Sequence, residues 1–113
     1  MTASIALYEM TSAYPDLPQD MLAVPAVELD AAWQDGAVMS IIALTEELRL
    51  LRMIWSARPT MVHPTHVAAL AREFGSVMQR EGISDDARAE LERGETLCAH
   101  AASNGDWIVS IGP

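Results

Sequence analysis

The segment AVMSIIALTEELRLLRMIWSA, residues 37–57, carries the strongest periodicity in the chain. Ile41, Leu44, Leu48, Leu51 and Trp55 recur at alternating intervals of three and four, the spacing of one apolar stripe on an α-helix. A turn of about 100° per residue puts Met39, Ile42, Ala43, Leu50, Met53, Ile54 and Ala57 on a second apolar flank. Thr45, Arg49, Arg52 and Ser56 form only a narrow polar stripe, and Glu46 and Glu47 are isolated interruptions. A helix apolar on two sides has to be covered twice, by the other helices of its own chain or by another subunit. Met39, Ile42, Leu50, Met53 and Ile54 are therefore the candidate partner or dimer interface.

Outward from this helix, Arg58-Pro59-Thr60 stops it, because proline cannot continue a helix. Val67, Leu70, Phe74 and Val77 mark a second helix over 64–81, ended by Gly82. Ser84 is a good N-cap, and Asp85 and Asp86 suit the positive end of a third helix over 85–103. Its apolar face, Ala87, Leu91, Cys98 and Ala101, is thin and is weakened by Gly94, and Asn104-Gly105 marks a turn. On the N-terminal side, Leu29 and Trp33 suggest a short helix near 26–35 with Gly36 as its C-cap. The same spacing continues through Ala37 and Ile41, so a bend at Gly36 is favoured over a stop. Pro15, Pro18 and Pro25 make residues 1–25 an extended segment. Ser4 to Met10 and Trp107 to Ile111 are strand candidates, free either to pair with each other or to add to a partner's edge.

These readings give a mostly α fold: a small bundle of three main helices (37–57, 64–81, 85–103), a shorter one near 26–35, and short terminal strands. A length of 113 residues fits one domain, with 26–103 as helical core and 106–113 as C-terminal strand. No apolar run approaches the roughly 18 residues of a membrane span. "MTASIALYEM" has no basic region ahead of its apolar residues, so a secretory signal is not expected. With a single cysteine, the reading is a cytoplasmic protein.

Charge narrows the function further. All seven basic residues are arginines, which removes P-loop and Schiff-base lysine chemistry and hints at a GC-rich bacterial or phage genome. Residues 1–48 hold eight carboxylates and no base, in a chain of net charge −9. Such a field disfavours direct binding of nucleic acid or anionic membrane and permits a basic protein partner. The same acids could equally serve as a solubilising surface or face the arginines of the second half.

Candidate chemistry centres on "HPTH", residues 63–66. Pro64 suits the first helical position, which makes His63 the N-cap and puts His66 one turn in. The two imidazoles could share a metal, but a zinc site needs three or four protein ligands and no third is evident. Cys98 and His100 lie two apart on a helix, roughly 200° around the axis, and cannot chelate together. Cys98 could act as a nucleophile only with a histidine from elsewhere, His63 or His66. Paired acids (Glu46-Glu47, Asp85-Asp86, Glu90 with Glu92 or Glu95) do not converge. Methionines and Trp33 and Trp55 fit either core filling or an adaptable binding face. The expectation is therefore a small acidic protein-binding module, an adaptor, chaperone or inhibitor acting by contact and as a homodimer, with no cofactor and no catalytic residues. The alternative is a small enzyme or metal-binding domain using His63, His66 and Cys98.

Overall fold

In the computed structural model, which describes residues 4–11, 25–56 and 58–112, the two terminal strand segments pair with each other. β1 (Ile5–Met10) runs antiparallel to the last strand (Trp107–Ile111), with Ala6 opposite Ile111 and Met10 opposite Trp107. Between them the chain forms β2 (Val27–Leu29), α1 (Ala31–Gln34), α2 (Gly36–Leu44), α3 (Arg49–Ile54), β3 (Thr60–Val62), α4 (Pro64–Met78) and α5 (Asp85–Asn104), so the last strand is β4. β2 joins the outer side of β1 and β3 the outer side of β4, giving an antiparallel sheet in the order β2-β1-β4-β3.

This sheet overturns the expectation of a mostly helical bundle; of the two alternatives left open for the terminal strands, pairing with each other is the one seen. Strands that begin and end the described chain occupy its centre, and the helices are built onto one face. Ile5, Leu7, Val27, Leu29, Val62 and Ile108 point into the same core as Val67, Leu70, Phe74 and Leu91. The opposite face gathers Tyr8, Met10 and Val109 with Ala6, Met61, Trp107 and Ile111, all of them strand residues. The connector expected around Pro15 and Pro18 lies outside the described residues.

Two segments change identity for visible reasons. Val27 and Leu29 are buried around an exposed Glu28, which is strand alternation, and the helix expected over 26–35 shrinks to the four residues of α1. The expected bend falls at Asp35, whose backbone is extended, while Gly36 opens α2 instead of capping α1. Asp35 caps that helix: its Oδ1 accepts the N–H of Ala37 at 2.9 Å, and its Oδ2 accepts the N–H of Ser84 at 3.0 Å. The Ser84 N–H above all, with those of Ala37 and Val38, holds the Asp35 carboxyl below its usual range against the opposing effect of burial.

The long helix expected over 37–57 is two helices, broken at 45–48. Thr45 is extended (φ −104°, ψ 110°), and Glu46 and Glu47 form the turn. Both broken ends are satisfied by side chains, one distant in sequence and one on α3 itself. Glu73, on α4, accepts the N–H of Leu51 at 3.0 Å and that of Leu50 at 3.4 Å, closing the start of α3. Arg52 donates to the carbonyls of Thr45 and Glu46, closing the end of α2. Glu90, on α5, does for α1 what Glu73 does for α3, accepting from Ala31 at 3.0 Å and Ala32 at 2.8 Å.

α4 and α5 form as the periodicity suggests, although α4 stops at Met78, three residues short of the expected end. Gly105, at φ 70°, and Asp106 donate back to the last carbonyls of α5, and the chain turns directly into β4. The weakness read at Gly94 is a packing device: a Cβ there would sit 2.9 to 3.3 Å from three carbons of the Phe74 ring.

Candidate functional site

The residues singled out by sequence fall in three places. His63 is the N-cap of α4, as expected: its Nδ1 accepts the Thr65 N–H at 3.1 Å, and Pro64 takes the first helical position. That bond commits the lone pair that would ligate a metal, and the ring also stands edge-on to Trp107 at a centroid distance of 4.8 Å. His66 is exposed on the first turn. Among the described residues no three His, Cys, Asp or Glu side chains gather closely enough to hold a metal ion.

Cys98 and His100 point opposite ways on α5, the thiol buried in the core and the imidazole exposed. Burial, reinforced by the Glu9 charge, pushes the Cys98 thiol up to about 12, so it is not a thiolate at neutral pH. His100 ties α5 to the sheet instead. Its Nδ1–H donates to Glu9 Oε1 at 2.8 Å, and Asn104 Nδ2 donates to its Nε2 at 3.2 Å. Burial opposes the charge on Glu9, but hydrogen bonds with Asp106 and His100 outweigh it and bring its carboxyl below the usual range. The same Glu9 bond pushes Asp106 up. A shallow groove of about 490 Å³ runs beside this cluster, between Ala26 and Val27 on one side and Arg93, Thr96, Leu97 and His100 of α5 on the other.

The third place is the α2–α3 unit. Of the five residues expected at an interface, Ile42 and Ile54 are 2 % and 0 % exposed and belong to the chain's own core, and Leu50 packs partly against it. Met39 and Met53 are 46 % and 52 % exposed. Leu44, which the periodicity assigns to the core stripe, is 84 % exposed, because the break at Thr45 leaves it on the last position of α2 with nothing above it. No other large apolar side chain among the described residues is exposed to this degree. Beside them, Met39, Ile42, Ala43, Arg52 and Trp55 line a dimple of about 240 Å³, enough for one or two inserted side chains. Trp55 stacks obliquely on Trp33 at 6.0 Å, and its buried indole Nε1–H has no hydrogen-bond partner among the described residues.

No protein-family model, curated protein or solved structure matches this chain. Among the described residues no helix is long and apolar enough to cross a membrane.

The sequence missed Leu44 as a surface residue, and the missing signal is long-range. Nothing local to residues 44–48 reports that Glu73 will close a helix end there, and Arg52, though near, reads only as a position of the polar stripe. Glu9 was missed for the same reason, since its partners stand 91 and 97 positions away.

Proposed function

We propose that this chain is a protein-binding module that acts by contact through the α2–α3 surface. The observation that carries the reading is the gathering of Met39, Leu44 and Met53, the exposed large apolar side chains, on one helix–turn–helix unit. Water gains when such side chains are covered, at roughly 25 cal/mol per Å² of apolar area, and clustered exposed apolar residues mark contact sites. Methionine suits the role because its unbranched thioether adapts to an irregular partner surface. The acidic bias of the first part fits a contact protein less directly, since Asp35 and Glu9 are engaged within the chain.

Leu44→Asp tests the reading cleanly, because an 84 % exposed side chain supports no core. A binding partner recovered from the source cell on the immobilised chain is expected to be lost with Leu44→Asp and kept with Ala68→Asp, an exposed position on α4. A partner retained equally by both variants would contradict the proposal.

A further inference from the structure

We infer that the occupant of the α2–α3 surface is a second copy of the chain, docked across a two-fold axis with α3 antiparallel to α3. The inference rests on the contact reading above and adds the identity of the partner. It comes from the placement of charge around the exposed apolar residues.

Glu46 and Glu47 immediately precede α3, and Arg58 follows its end; all three are exposed. Arg49, also exposed on the first turn, offsets one of the two carboxylates. Arg52 keeps its positive charge while bonded to the carbonyls that end α2, and the Glu73 carboxylate at the start of α3 offsets it. The six-residue α3, about 9 Å long, therefore carries one surplus negative charge at its leading end and one positive charge at its trailing end. Among the described residues no arginine lies within ion-pair distance of a carboxylate, so none of these four charged side chains has an ionic partner there.

A two-fold interface is self-complementary: whatever residue i meets on the other copy, j meets in return. Antiparallel α3 helices would set Glu46 and Glu47 of each copy beside Arg58 of the other, with Met53 and Leu44 between. The local balance also matters. In a chain of net charge −9, two copies repel over most of their surfaces, and a patch that holds its own arginines is where they can meet. A strongly basic partner, by contrast, would face Arg49 and Arg58 at this site.

Reversal of one charge at a time tests both geometry and occupant. Arg58→Glu makes both ends of α3 negative, and Glu47→Arg makes both ends positive. Light scattering at micromolar concentration is expected to give twice the 12.3 kDa chain mass for the wild type. Each single reversal should weaken self-association roughly ten- to thirtyfold, since two exposed ion pairs per dimer turn repulsive. An equimolar mixture of the two variants should recover the dimer, as should the chain carrying both changes. All the substituted positions are exposed, so unfolding does not confound the result.

A dimer indifferent to both single reversals, or variants that fail to recover on mixing, would overturn this arrangement. A wild type that stays monomeric would overturn self-docking altogether. If a different protein is then captured through Leu44, the contact reading survives; if Leu44→Asp changes no binding at all, that reading falls as well.

Discussion

Phe74→Ala is expected to lower the free energy of unfolding by about 3 to 5 kcal/mol, the cost of emptying a fully buried aromatic site. The ring is 0 % exposed and lies where α4 meets α5, against the backbone of Gly94. Collapse around the vacated volume is limited, because Leu70, Val77 and Leu91 beside it are themselves buried on helices already in contact. A loss of this size is a large part of the roughly 5 to 15 kcal/mol that holds a small domain together. The partner substitution should show the same contact from the other side. Gly94→Ala gains up to about 1 kcal/mol of helix propensity but drives a methyl into the ring, at about 1 to 3 kcal/mol. With Phe74→Leu in the same chain the clash is relieved, so the pair should be less destabilised than the two single losses added together. Urea unfolding followed by circular dichroism measures the wild type, the three single variants and the pair. A Phe74→Ala loss under about 1 kcal/mol would mean that α4 and α5 do not pack as described.

Glu73→Ala is expected to cost about 2 to 3 kcal/mol, because a charged acceptor is removed from two neighbouring backbone N–H groups, Leu50 and Leu51. Leu51 is buried, so water cannot fully replace the carboxylate there. Glu73→Gln keeps one acceptor oxygen and should lose about half as much. The damage should be local as well as global: the amides of Leu50 and Leu51 should exchange faster with solvent in the alanine variant, while those of α5 keep their protection. Unchanged exchange at 50 and 51 would show that α3 holds its start without Glu73. Because α3 carries Met53 and its flanking charges, the same variant should also weaken any complex formed there.

How far the chain can be read from its sequence depends on where each element's support comes from. α4 and α5 are legible because their signals are local: the His63-Pro64 start, the Ser84 cap, the Gly105 turn and the apolar spacing between them. β1 and β4 are legible as strands, but their pairing is not, since it joins Tyr8 to Val109 across almost the whole chain. β3 is three residues after a proline and has no period to detect. The break at 45–48 runs against an apolar pattern that continues straight across it. A carboxylate from α4 and a guanidinium from α3 itself close the ends, and a pattern search sees Glu73 and Arg52 only as polar positions. That break also decides the candidate site. Ile42 and Ile54 lie inward and Leu44 outward, so the second apolar flank, laid out on one continuous helix, does not exist as a single face.

Contact through the α2–α3 surface, as proposed, has a direct spectroscopic signature. Methyl-labelled methionine resonances test it most directly, because Met39 and Met53 are exposed while Met10, 3 % exposed, is an internal control in the sheet. As protein concentration rises through the micromolar range, or as a captured partner is added, the Met39 and Met53 methyls should shift and lose contact with a soluble paramagnetic probe, and Met10 should stay fixed. Movement at Met10 or Met61 with Met39 and Met53 unchanged would place the contact on the sheet and contradict the account.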